Sequence, residues 1–142
     1  MTGQEVGTSG WLEITQERVD RFAEASGDRQ WIHVDPRRAV RESPHRRTIA
    51  HGFLTLSLLS ELSREAVEVK GDFRMRINYG LNRVRFPAPA PTGARVRGRF
   101  TLLALDDFAG GAQLTWAATV EIEGAEKPAA AAEWIVRYYY AV

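Results

Sequence analysis

Apolar and polar positions follow two rhythms along this chain, and each rhythm predicts a different kind of element. Trp11, Leu12 and Ile14 form a short strand-like start. Val19, Phe22 and Ala23 then recur at helical spacing, giving one buried stripe. Thr15 can cap that helix, with Glu17 in the first turn, where the helix dipole favours negative charge. Gly27 suits a left-handed stop about three turns later, so the helix delivers Asp28 into a loop. The pair Asp35-Pro36 predicts a short second helix, with Asp35 as cap and Pro36 at its first position. After a polar, basic loop at 41–47, Thr48 is expected to cap a longer helix over about 49–68. Phe53, Leu54, Leu56, Leu58 and Leu59 make its first half apolar on nearly every side, which belongs inside a core. Glu61, Arg64, Glu65 and Glu68 make its second half amphipathic and turn it toward solvent.

Beyond Gly71 the period shortens to two. Met75, Ile77 and Tyr79 alternate with Arg74, Arg76 and Asn78, which predicts a half-buried strand continuing through Val84 and Phe86. Pro87, Pro89 and Pro91 then enforce an extended, non-pairing stretch. Segments 96–105, 114–122 and 131–140 read as three long strands separated by turn-rich 106–111 and 123–128. Connections this short imply antiparallel neighbours. The expected architecture is α+β: a curved antiparallel sheet around one apolar helix, in a single domain spanning residues 1–142.

Bulk properties narrow the function classes. With 44% hydrophobic and 26% charged residues the chain has ordinary globular usage. A net charge of +1 provides no global field for nucleic acid or an anionic membrane. The absence of cysteine excludes a disulfide framework, a thiolate zinc site and a cysteine nucleophile. Residues 1–10 lack the pattern of a secretory signal, and the apolar run 49–62 is interrupted by Glu61 and too short to span a bilayer. The expectation is a soluble, cytoplasmic protein.

The candidate chemistry lies in Gly27-Asp28-Arg29-Gln30-Trp31-Ile32-His33-Val34-Asp35-Pro36. A carboxylate and an imidazole five positions apart diverge on a regular helix, because five steps turn it about 500°. In a loop held between a glycine stop and an Asp-Pro start, Asp28 and His33 can converge on one water and exchange protons with it near neutral pH. On spacing alone the blander reading carries more weight, with Asp28 capping local backbone and His33 filling a polar niche. A second piece is Ile49-Ala50-His51-Gly52-Phe53, at the start of the apolar helix. Free N–H groups there suit an oxyanion, and Gly52 permits close approach by either a ligand or the sheet. His51, set in an apolar turn, reads as structural.

Together these pieces resemble the MaoC-like dehydratase family, the group containing (R)-specific enoyl-CoA hydratases. The resemblance rests on Ala25-Ser26-Gly27-Asp28, Ile32-His33-Val34-Asp35-Pro36, Ala39 and Ile49-Ala50-His51-Gly52, in matching order and spacing. Tyr79-Gly80-Leu81-Asn82-Arg83-Val84-Arg85-Phe86 agrees more loosely. The chain is closest to the compact single hot-dog members, which often carry Gln-Trp-Ile-His. The resemblance implies a hot-dog fold and reversible hydration of a trans-2-enoyl thioester to a (3R)-3-hydroxyacyl thioester. Asp28 and His33 would be the catalytic pair, with their individual proton transfers left open. Gly52 would offer its N–H to the thioester oxygen. Ser60 would assist, unless its hydroxyl merely bonds back to its own helix.

The implied substrate is an acyl-CoA or acyl carrier protein thioester, and a homodimer would cover the free sheet edge. Hydration moves no electrons and needs no cofactor. His33, His45 and His51 match no standard zinc spacing. Pro44-His45-Arg46-Arg47 departs from the family's aromatic-and-glycine pattern, which bears on the shape of the entrance. Arg41, Arg46 and Arg47, and more weakly Arg83, Arg85 and Arg97, are candidates for the phosphates of coenzyme A, with a solvated basic loop as the default. Trp116, Trp134 and Tyr138 to Tyr140 read as core and interface aromatics. A hot-dog acyl-CoA thioesterase and a non-catalytic acyl-CoA-binding subunit are the competing readings.

Overall fold

A computed structural model describes residues 3–142. Its strands are β1 (Glu5–Thr8), β2 (Leu12–Glu13), β3 (Phe73–Arg85), β4 (Arg95–Phe108), β5 (Gly111–Ile122) and β6 (Ala130–Tyr140). Its helices are α1 (Gln16–Ser26), α2 (Trp31–Val34), α3 (Pro36–Glu42), α4 (Gly52–Ser57) and α5 (Leu59–Ala66). The strands form one antiparallel sheet in the order β1-β4-β5-β6-β3, with β2 also on β4. The sheet carries the central helix: α5 packs on β4 and β1, and α4 on β6. This is the hot-dog arrangement.

The core lies between that helix and the sheet. Leu54, Leu58, Leu59 and Leu62 meet Val96, Phe100, Trp116, Trp134 and Val136, all buried. Each such side chain contributes about 1.5–3 kcal/mol on burial. β5, and β4 as far as Leu102, alternate almost strictly between buried and less buried positions, as a strand with one face on a helix must. A Cβ on Gly98 would stand 2.9 Å from Cβ of Leu62 and 2.7 Å from the Phe100 ring, so the missing side chain is what lets α5 sit down on β4.

Several local expectations hold. Thr15 caps α1 through the Arg18 N–H, and Gly27 ends it in the left-handed region at φ 83°. Asp35 caps α3 through the Arg38 N–H, with Pro36 in the first turn. Four others require correction. Residues 31–34, read as loop, make the single turn α2. β1 pairs with β4 inside a segment that shows no apolar period. The central helix does not start at 49 with Thr48 as cap. It starts at Gly52 with His51 in the cap position, and the turn at Leu58 divides it into α4 and α5. Thr48 is instead buried, bonding the Gln16 and Thr92 side chains.

The fourth correction concerns which face of β3 is buried. Arg76 reaches the Ser63 hydroxyl and the Ser60 carbonyl, and Asn78 accepts the Trp134 indole N–H, so these polar residues face the helix side. Met75, Ile77 and Tyr79 are exposed. An irregularity between Asn78 and Gly80 then resets the alternation, pairing Leu81 opposite Trp134. Phe53, expected inside, is 71% exposed. Trp116 and Trp134 are core residues, whereas Tyr140 at the end of β6 is exposed.

Gly98→Val is expected to destabilise the fold by about 1–3 kcal/mol through overpacking against Leu62 and Phe100. Thermal unfolding followed by circular dichroism checks this, with an expected fall in Tm of roughly 2–10 °C.

Candidate active site

Three segments build the site. The Gly27 stop swings the chain out of α1, so that Asp28 begins a loop and projects a solvent-exposed carboxylate. The Gln30 N–H approaches that carboxylate at 3.4 Å, and the Asp28 N–H reaches the Ser26 hydroxyl at 3.3 Å. The single turn α2 then carries His33 inward, where it is 6% exposed. Residues 49–51 run extended beside this loop, with Ile49 bridged to Pro91 and the Ala50 N–H bonded to the Ala90 carbonyl.

The loop and the extended segment are tied at three points. The Ile49 N–H donates to the Ile32 carbonyl at 3.0 Å. The Ile49 carbonyl lies 2.7 Å from Nδ1 of His33. A carbonyl can only accept, so Nδ1 carries the hydrogen and the lone pair of the neutral ring resides on Nε2. By the same reasoning Nε2 of His51, 2.8 Å from the Asp28 carbonyl, is the donor there. Gln16 of α1 also holds the loop, donating to the His33 carbonyl at 2.8 Å.

The two imidazoles stack face over face, with centroids 3.7 Å apart and planes 21° from parallel. Phe22 of α1 covers His51 at 4.9 Å. A carboxylate oxygen of Asp28 and a ring nitrogen of each histidine all lie within 4.8 Å of one another. A water with two hydrogen bonds of about 2.8 Å bridges groups about 4.6 Å apart, so a carboxylate and an imidazole at this separation can share one water. Burial pushes the His33 pKa below its ordinary 6.5, and the neighbouring His51 adds to this. The Ile49 carbonyl and the Asp28 carboxylate oppose it. His33 is therefore held as a neutral base.

The same trio is a set of possible metal ligands, which histidine spacing in the sequence does not reveal. Two imidazoles sharing one zinc-class ion fan outward, with ring centres about 5 Å apart for metal–nitrogen bonds of about 2.1 Å. The closer stack and the engaged Nε2 of His51 suit packing rather than shared ligation. Nδ1 of His51 is buried and has no hydrogen-bond partner among the described residues.

A cavity of about 260 Å³ brings His33 together with Gly52, and Ile49, Thr55, Phe86 and Ala129 also line it. The Gly52 N–H belongs to the first turn of α4, which has no intrahelical acceptor to offer it. A Cβ at this position would touch the Phe86 ring at 3.0 Å, so close packing is one reason for glycine here. Ser60 stands elsewhere. It lines a separate cavity of about 310 Å³ with Phe53, Ser57, Asn78, Leu81 and Trp134. Phe53 of that cavity meets Phe86 of the first edge to face at 6.1 Å.

Among the arginines, Arg97 is engaged by Glu121 and stacks 4.4 Å over Trp11. Gln16, Phe22 and Thr48 support the site without having been legible as parts of it. Only His51, beside Gly52 in the motif, carried a signal in the sequence. Among the described residues, no helix is long and apolar enough to cross a membrane.

Comparison with known proteins identifies the family. The family model described as "MaoC like domain" matches residues 1–124. The 3-hydroxyacyl-thioester dehydratase Z of Mycobacterium tuberculosis is 55% identical over 137 residues, covering 96% of this chain and 89% of that protein. Nodulation protein N of Rhizobium leguminosarum bv. viciae is 50% identical over 135 residues, covering 94% and 83%. Among solved structures, an (R)-hydratase from A. caviae involved in PHA biosynthesis superposes with a TM-score of 0.71. It is 28% identical, and the match covers 96% of this chain and 98% of that one.

The His33 environment predicts a pH effect on stability. The folded chain binds a proton at His33 less readily than the unfolded chain, whose imidazole titrates near 6.5. Stability from this group is therefore present above that pH and is lost as the pH falls below it. Denaturant unfolding at a pH of about 7.5 and about 5 is expected to show a smaller loss of stability in His33→Gln than in the parent.

Proposed function

The chain belongs to the MaoC-like dehydratase family, and from that premise we propose that it adds water reversibly across the double bond of a trans-2-enoyl thioester. The observation that carries this reading is a cavity lined by both His33 and Gly52, with an Asp28 carboxylate oxygen within 4.8 Å of a His33 ring nitrogen. Nε2 of His33 takes a proton from the water that Asp28 orients, and the water oxygen bonds to C3. The π electrons pass to the thioester oxygen, where the Gly52 N–H stabilises the enolate by about 3 kcal/mol. His33 returns the proton to C2, so one water is added and the pair ends in its starting state. Run backwards, the same steps dehydrate a 3-hydroxyacyl thioester. No step transfers electrons to or from the protein, so the reading requires no redox cofactor.

The (3R) configuration is part of the proposal and is supported by the likeness to an (R)-hydratase. Coenzyme A or acyl carrier protein supplies the thioester. Ser60, in the adjoining cavity, is assigned to the walls that receive the acyl chain. A homodimer is also proposed: β3 is a free sheet edge and bears exposed Met75, Ile77, Tyr79 and Leu81.

Incubation with crotonyl-CoA is expected to bleach the conjugated-alkene absorbance without releasing thiol, and chiral analysis to give the (3R) alcohol. Thiol release would instead indicate a thioesterase. Asp28→Asn and His33→Gln are each expected to lower kcat by about 1,000-fold. Unchanged turnover in both would overturn the dyad. Light scattering of the purified protein should give twice the chain mass, and a value equal to one chain would refute the dimer.

A further inference from the structure

We propose that His51 is a positioning residue of the reaction, holding the Asp28 carboxylate and the His33 imidazole in register. This inference rests on the hydratase reading above. His51 touches both halves of the dyad at once. Its ring lies 3.7 Å over His33, and its Nε2–H donates to the Asp28 carbonyl at 2.8 Å. Among the described residues it is the one side chain that contacts both: the Ile49 carbonyl fixes His33, while the other hydrogen bonds of Asp28 are local, to Ser26 at the end of α1 and to Gln30.

The arrangement is built to hold His51 still. The residue is 3% exposed, covered by Phe22 on one side and His33 on the other. A histidine serving only to fill volume would be replaceable there by an apolar side chain. This one instead keeps a buried Nδ1 with no partner among the described residues while Nε2 holds the loop. An unsatisfied buried acceptor opposes folding, so the feature it accompanies, the bond to Asp28, is where the histidine is needed. Among the described residues, the other hydrogen bonds of Asp28 reach only two positions along the chain. Without the His51 donor its carboxylate is free to drift from the water that His33 must deprotonate, and a displacement of about 1 Å lowers turnover about 100-fold.

Two variants of similar volume separate the donor from the packing. His51→Gln keeps an N–H donor near the position of Nε2, whereas His51→Met fills the space without one. With crotonyl-CoA, His51→Met is expected to lose about 30–100-fold in kcat with KM within about 3-fold, and His51→Gln to retain kcat within about 5-fold. Circular dichroism confirms that each variant is folded. Equal kcat in the two folded variants, or full activity in His51→Met, overturns the proposal. Asp28→Asn and His33→Gln run alongside: if both are fully active, it is the dyad reading that fails. In the unaltered protein, the His51 Nε2–H should give a ring N–H proton resonance that exchanges slowly with solvent. Its absence at low temperature overturns the hydrogen bond whatever the variants do.

Discussion

The site depends on one antiparallel contact, in which the extended residues 49–51 lie along the loop from Asp28 to His33. Each residue of the loop that matters to the chemistry is held by a group from this segment. Ile49 engages Ile32 and His33 through its backbone, and His51 engages Asp28 through its ring. Backbone groups buried here need partners, and the pairing supplies them without a regular sheet. It also fixes a tautomer, because an imidazole whose Nδ1–H faces a carbonyl presents its lone pair on the opposite edge. The orientation of the proposed base is thus set by a main-chain atom, which no side-chain substitution removes directly.

Anchoring and electrostatics reinforce each other at this contact. Stacking His51 on His33 takes water away from the His33 ring, and desolvation is the leading reason its cationic form is disfavoured. The same packing that positions the imidazole therefore keeps it able to accept a proton at neutral pH. The carboxylate has the opposite requirement and the opposite placement: Asp28 stays exposed, with its main-chain carbonyl tied to His51 and its carboxylate meeting only the local Gln30 N–H. One group is buried and one is solvated, separated by a distance a single water can span.

Much of this frame was legible in the residues. Thr15, Gly27, Asp35 and Pro36 each have a local physical reason to start or stop a helix, and each does so. The four long strands follow from their two-residue period. The approach of Asp28 to His33 was also legible, but that His51 joins them was not, because it depends on chain segments that meet only after folding. The sidedness of β3 was hidden for a related reason. Alternation reports that a strand has two faces, while the identity of the buried face depends on what packs there. Arg76 and Asn78 find polar partners in Ser60, Ser63 and Trp134, so the polar face can turn toward the helix and leave Met75 and Ile77 outward. β1 escaped notice because its pairing with β4 places no continuous apolar period in the chain.

The helix boundary had the largest consequence for chemistry. A helix beginning at Ile49 would commit the Ile49 carbonyl to the N–H four residues on, at Phe53. That carbonyl would then be unable to orient His33, and His51 would point from a helical turn rather than from an extended cap. Beginning at Gly52 leaves the carbonyl free for the imidazole and turns the His51 ring back over the loop. It also brings the free N–H of Gly52 to the cavity that His33 lines. Moving the start by three residues thus separates a long apolar helix, which could serve as core alone, from a helix whose first turn faces the proposed base across a shared opening.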